Sequence, residues 1–280
     1  MPYIDASDGV ELYCEDFGDG PALLFVHGGG ATHAMWDQQV FALADDFRTI
    51  CLDLRGVGRS GKPRVGYGLD RFADDLADVV RELDLRDVTV IGHGVGNHII
   101  LRCAHRSPAF ASRIMLCAAA PWYAGDREQA GQEQGGFSVE FADLLRKAIA
   151  TDHAELQWEI IQHWLFKEPP QLATVTANLQ MAMAWPTYVW KMLERDLIEL
   201  DHRPYLSDVK QPVLIAHGVH DKKNRYGGAS LLATYLPHGK VVSFEDSAHC
   251  PMAEQVDDFN RALREFAVPT GDETAAAFAD

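Results

Sequence analysis

The stretch Asp87–His98, DVTVIGHGVGNH, constrains this chain more than any other. Val88-Thr89-Val90-Ile91 is a β-branched run of the kind that favours a strand. Gly92, Gly94 and Gly96 then alternate with His93 and Val95, and Ile99-Ile100-Leu101 and Cys103-Ala104 continue with apolar residues at helical spacing. The order is strand, sharp turn, helix. Glycine suits such a turn because it reaches backbone conformations closed to other residues. A dinucleotide-binding turn, G-x-G-x-x-G, is the other glycine-rich connection found between a strand and a helix. It fits poorly, since Asn97 stands where its third glycine belongs.

The same glycines fall on the frame G-x-S-x-G, the nucleophile elbow, in which the central serine is held at the strand end. Here that central position is Gly94. Upstream, Ala22-Leu23-Leu24-Phe25-Val26 reads as a fully buried strand and ends in His27-Gly28-Gly29-Gly30. This segment resembles the H-G-G-G loop of lipases and esterases, whose backbone N–H groups receive the charge that builds on a carbonyl oxygen.

Phe47–Leu52 is a further strand, closed by Asp53-Leu54-Arg55-Gly56-Val57-Gly58-Arg59-Ser60. With this D-x-R-G-x-G-x-S run the chain resembles the α/β-hydrolase superfamily over residues 3–120 and 205–268. Asp53 and Arg55 read as residues that organise the loop. Asp70–Leu85 carries Phe72, Leu76, Val79, Val80 and Leu83 at helical spacing, and Arg113–Cys117 is the strand after the elbow helix. From Trp122 to Arg203 strand patterns give way to helical ones, as in Phe141, Leu144, Leu145, Ala148 and Leu156, Ile160, Ile161, Trp164, Leu165. An insert at this point resembles the superfamily's helical cap. Its Trp158, Trp164, Phe166, Trp185, Tyr188 and Trp190 suggest an apolar or aromatic small-molecule pocket.

The core pattern resumes with the strand Val213–Ala216, followed by His217-Gly218-Val219-His220-Asp221. The resemblance assigns the site's acid to Asp221 and its histidine to His249, after the strand Lys240–Phe244. The order elbow, acid, histidine is that of the family. Asp246 is an alternative acid, but shares a short loop with His249. The oxyanion donors implied are the N–H groups of Gly29 and Val95, and the substrate neighbours Gly28, Gly30, His93, Trp122 and Trp185. The fold implied is α/β, a mostly parallel central sheet with helices on both faces. Residues 1–121 and 204–268 form its core, 122–203 a cap and 269–280 a flexible tail.

Composition narrows the partners. A net charge of −16, from 25 basic and 41 acidic residues, argues against nucleic acid and an anionic membrane surface. The expected partner is a small-molecule substrate. No apolar run is long enough to span a bilayer. Met1–Asp5 has no basic or apolar leader pattern, and the five cysteines, an odd number without a C-x-x-C pair, suit buried thiols in a reducing cytoplasm. His217 and His220 suggest no third or fourth metal ligand, so neither metal nor cofactor is expected.

Gly94 leaves three readings open. In the first, this is a Ser-His-Asp site for small esters or lactones whose nucleophilic serine is replaced. In the second, glycine belongs to the mechanism, and His249 with Asp221 acts as a general base on water or substrate. That chemistry includes direct hydrolysis, C–C cleavage or lyase reactions, and cofactor-free oxygenation. In the third, the fold binds a small molecule without turnover.

Overall fold

The computed structural model describes residues 3–122, 141, 144, 152–197 and 200–268. The leader positions Met1 and Pro2, Leu145, Ala148 and the tail 269–280 lie outside the described residues.

Strands β1 (Tyr3–Asp5), β2 (Glu11–Phe17), β3 (Ala22–Val26) and β4 (Arg48–Leu52) come first, followed by β5 (Thr89–His93) and β6 (Arg113–Cys117). Strands β7 (Val213–Gly218) and β8 (Gly239–Phe244) complete an eight-stranded sheet in the order β1-β2-β4-β3-β5-β6-β7-β8. The pairs β1–β2 and β2–β4 are antiparallel, and every later pair is parallel.

Both faces of the sheet are covered, which is why its central strands read as unbroken apolar runs. Alternate residues of β3 face opposite layers. Leu24 and Val26 pack with α2 (Leu69–Glu82) and α3 (Val95–Arg106), through Phe72, Leu76, Ile99 and Ile100. Leu23 and Phe25 face Trp36, Leu43 of α1 (Asp37–Leu43), and Phe259 and Leu263 of the last helix.

Asp53 and Arg55 act as the sequence suggests. Buried Asp53 accepts from the backbone N–H groups of His33 at 2.8 Å and Arg59 at 2.9 Å, fixing the loop after β4. Arg55 lies fully buried between Asp75 of α2 and Asp8, donating to Asp75 at 2.5 and 2.6 Å and to Asp8 at 2.9 and 3.1 Å.

The described part of the insert holds α4 (His153–His163), α5 (Leu172–Met183) and α6 (Thr187–Leu197). Asp152 caps α4, accepting from the N–H groups of Ala154 and Glu155. The insert's two ends meet: Trp122 and Asp201 form an isolated antiparallel bridge, and His202 N–H donates to the Pro121 carbonyl at 3.0 Å. Helix α7 (Gly227–Tyr235) follows β7, and α8 (Pro251–Glu254) and α9 (Val256–Ala267) close the described chain. Among the described residues, no helix is long and apolar enough to cross a membrane.

Candidate active site

The site sits at the carboxyl ends of the parallel strands, where open α/β sheets place their ligands. Gly94 joins β5 to α3 with φ 51° and ψ −112°, a conformation that side chains with a Cβ rarely adopt. Two residues on, Gly96 lets α3 start against β3. A Cβ there would come within 2.5 Å of the Val26 carbonyl oxygen. Asn97 Nδ2 donates to the Cys117 carbonyl at 2.7 Å, tying the turn to β6.

Asp221 follows β7, and His249 lies in the loop after β8. His249 Nδ1 and Asp221 Oδ2 are 2.8 Å apart, both residues buried. The other carboxylate oxygen of Asp221 accepts from the N–H groups of Lys223 at 2.8 Å and Asn224 at 2.9 Å, so the acid is held at both ends. Burial opposes its charge. The charge of His249, and the hydrogen bonds and charge that His217 and His249 bring, outweigh burial and keep the carboxyl well below the usual range. His249 has its proton affinity lowered by burial, opposed by the attraction of Asp221 and helped by the charge of Lys223. An imidazole with Nδ1–H directed at Asp221 presents Nε2 as a base. That Nε2 is buried and has no hydrogen-bond partner among the described residues. It faces the elbow: a Cβ built on Gly94 would stand 3.8 Å from it.

The histidine loop is fixed from outside the sheet as well. Glu254 of α8 accepts from Ala248 N–H and from Lys167 N–H of the insert, both at 2.7 Å. His249 N–H donates to the Leu165 carbonyl at 3.1 Å.

Val95 is the first residue of α3, so its N–H is among the donors a helix leaves unused at its start. Gly29 adjoins it, since a Cβ on Gly29 would lie 3.1 Å from Val95 Cγ2 and 2.6 Å from Trp190 Cη2. Gly29, Gly94 and Val95 line a small cavity of about 20 Å³, room for about one water. Its apolar wall is Phe141, Ile160 and Trp190, and its polar wall His98, Gln157, Lys223 and Asn224.

None of the sequence-predicted substrate neighbours Gly28, Gly30, His93, Trp122 and Trp185 is among the described lining of this cavity. His93 lies behind Gly28, its Nε2 3.0 Å from the His249 carbonyl, and burial keeps it neutral. Gly30 adjoins Gln157. Trp185 packs one layer back, its indole N–H donating to the Ala31 carbonyl at 2.6 Å, and Trp190 takes the lining position. Trp122 lies under the Arg203 guanidinium, 4.5 Å from its ring centre, at the base of the insert. The alternative acid Asp246 is exposed and pairs with Lys167 at 2.9 Å. His217 Nε2 lies 2.8 Å from the Asn224 carbonyl and 3.4 Å from Asp221 Oδ2, whereas His220 is exposed.

Lining residues not picked out from sequence include His98, Gln157, Lys223 and Asn224. His98 had a signal, because it stands four residues after Gly94 on the same helical face. Its Nδ1 is 2.8 Å from His202 Nε2, and His202 in turn meets the Tyr205 hydroxyl. Burial lowers the pKa of His98 to about 3. A larger cleft of about 660 Å³, lined by Asp70, Arg102, Arg195, Asp196 and Tyr205 among others, touches neither Gly94, Asp221 nor His249.

Known proteins are similar to this chain over nearly its whole length. An AB hydrolase superfamily protein of Bacillus subtilis, YisY, is 30% identical, with 94% of this chain and 98% of that protein covered. The non-heme chloroperoxidase CPO-A1 of Kitasatospora aureofaciens is 29% identical, over 95% of this chain and 99% of its own length. The esterase EaEST of Exiguobacterium antarcticum superposes with a TM-score of 0.85 at 23% identity, covering 95% of this chain and 98% of the esterase. Residues 21–256, which run from β3 past His249, match the α/β hydrolase fold, and this chain belongs to that family.

Proposed function

We propose that the chain carries the site of a hydrolase for small esters or lactones with an apolar or aromatic body, in which Gly94 occupies the nucleophile's position. One observation carries this reading: the buried Nε2 of His249 has no partner among the described residues and faces the elbow position where a hydroxyl acts in such a site. A serine at 94 would give its proton to Nε2 as it attacks the acyl carbon. Asp221 would steady the imidazolium, and Gly29 and Val95 N–H would receive the oxyanion. With glycine, the oxyanion donors and binding wall remain while covalent catalysis is lost, at a cost of several orders of magnitude. The helices between β6 and β7 serve as the cap, and the buried free thiols fit a reducing cytoplasm.

The cavity supports a second reading. Its size suits one water beside Gly94, whose Cβ position is 3.8 Å from His249 Nε2, and a general base there can direct a water onto an acyl carbon without a covalent intermediate.

The test compares the chain, Gly94→Ser, and the His249→Ala version of each on activated esters and lactones, aromatic ones included. A gain of orders of magnitude in Gly94→Ser, abolished with His249, supports the proposed site. Turnover by the unaltered chain that needs His249, with nothing added by serine, selects the water route. Silence from all four, with retained ligand binding, overturns both in favour of a binding protein.

A further inference from the structure

Two buried amides line the cavity beside Gly94, one from the core and one from the insert. Asn224 follows β7 and is 3% exposed, and Gln157 belongs to α4 and is 4% exposed. Asn224 is pinned at three points. Its N–H donates to Asp221 Oδ1 at 2.9 Å, its carbonyl lies 2.8 Å from His217 Nε2, and its Nδ2 donates to the Ala118 carbonyl at 2.7 Å. A carbonyl only accepts, so the amide cannot flip and Oδ1 is fixed as its other end. That oxygen is buried without a hydrogen-bond partner. Gln157 makes no side-chain hydrogen bond among the described residues. Its Oε1 lies 3.0 Å from the Cβ position of Gly30, beside the loop that carries the oxyanion glycine Gly29. A buried amide end left unpaired destabilises a fold, and leucine at 157 would fill much the same space without that cost. The polar ends become favourable once a ligand supplies their partner.

We propose that Asn224 and Gln157 are specificity residues that recognise a hydrogen-bond donor on the substrate, so that the site takes esters or lactones carrying a hydroxyl or an amide N–H next to the reacting carbonyl. Asn224 Oδ1 accepts from that donor. No partner fixes the orientation of the Gln157 amide, so its NH₂ donates to the oxygen of the same hydroxyl or amide. Phe141, Ile160 and Trp190 receive the apolar body. Cleavage of the bond rests on the hydrolase reading, whereas binding of the donor group does not.

Binding is therefore measured on the unaltered Gly94 chain, with ketones that have no bond to hydrolyse. The probes are phenylacetone and phenylacetone bearing a hydroxyl or a methoxy group on its benzylic carbon. The hydroxyl brings the donor, and the methoxy group keeps only the oxygen. Calorimetric titration is expected to show the hydroxyketone bound about tenfold more tightly than the other two. The preference is expected to be lost in Gln157→Leu and in Asn224→Ala, each checked for an unchanged fold by circular dichroism. Gln157 makes no side-chain hydrogen bond within the described fold, so Gln157→Leu decides alone should Asn224→Ala fail to fold. Equal binding of hydroxyketone and phenylacetone, or binding of neither, overturns the inference. So does a methoxyketone bound as tightly as the hydroxyketone, or a preference that survives in either folded variant. If no donor preference appears while Gly94→Ser hydrolyses esters through His249, the subsite fails and the hydrolase reading stands. If the preference depends on these side chains while Gly94→Ser hydrolyses neither hydroxy esters nor plain ones, the subsite stands and the hydrolase reading fails.

Discussion

A Cβ built on Gly94 stands 3.8 Å from His249 Nε2, and an equal 3.8 Å from Gly28 Cα. The elbow thus has space for a side chain and a base facing it. What opposes a side chain is the backbone, whose φ of 51° favours glycine.

Gly94→Ser is therefore predicted to cost about 1–3 kcal/mol of stability through backbone strain, with no clash to add to it. Its hydroxyl would come within about 3 Å of Nε2, the range for proton transfer. Gly94→Ala shares the strain and lacks the hydroxyl. Urea unfolding should place both variants at similar midpoints below that of the unaltered chain. Ester assays should separate them by up to about 10⁶-fold in kcat. Similar activities would show that serine gains nothing from this base.

Asp221→Asn, introduced with Gly94→Ser, is predicted to lower kcat about 10⁴-fold. Lys223 and Asn224 N–H both donate to one oxygen of residue 221, and an asparagine would keep its carbonyl there. Its NH₂ would then face His249 Nδ1 and force the tautomer that carries the proton on Nε2. The imidazole could no longer accept a proton from serine. Steady-state kinetics with a chromogenic ester measures the loss. A fall of less than tenfold would mean that Asp221 does not set the tautomer.

The fold and the places of Gly94, Asp221 and His249 in it were legible because each rests on a local pattern. β3 and β5 are buried on both sides, so Ala22–Val26 and Val88–Ile91 read as continuous apolar runs. Asp221 and His249 each follow such a run in a family-like loop. The cavity wall was not legible in the same way. Trp185 and Trp190 lie on the same insert, and only packing decides that one donates to Ala31 while the other faces Gly94. Lys223 sits two residues past the acid, a position that from sequence alone suits solvent as well as a cavity. Gln157 reaches the site from α4, brought there by a chain path that no periodicity encodes.

Arg55→Met tests whether the arginine of the D-x-R-G run is structural. Removing it takes from buried Asp75 its partner at 2.5 and 2.6 Å and leaves Arg71, at 3.0 and 3.2 Å, to offset the charge, while burial already raises the pKa of that acid. The expected loss is up to about 3 kcal/mol, the low end of the cost of deleting one member of a buried pair, because Arg71 still pairs with Asp75. Denaturant unfolding should show the loss. In the Gly94→Ser background, kcat at a temperature where the variant is folded should stay within a few-fold. An equal loss of kcat with unchanged stability would instead give Arg55 a part in the reaction.

Stability should also fall on mild acidification. His27, His93, His98, His202 and His249 are all buried with lowered pKa values, burial being the leading cause in each. In the unfolded chain each takes up a proton near its ordinary value of about 6.5. Below that pH the unfolded state binds more protons, so the stability present above 6.5 is lost as pH falls toward each folded value, for His98 down to about 3. His33, raised chiefly by its bond to Asp53 against the effect of burial, acts with the opposite sign and offsets part of the loss. Each unmatched proton contributes a slope of about 1.4 kcal/mol per pH unit. Urea midpoints measured from pH 7 to pH 5 should therefore decline. The double variant His98→Leu, His202→Phe removes the 2.8 Å imidazole pair and should decline less steeply, by about two protons' worth of slope. Parallel curves for the two proteins would mean that this pair is protonated in the folded chain, against its burial.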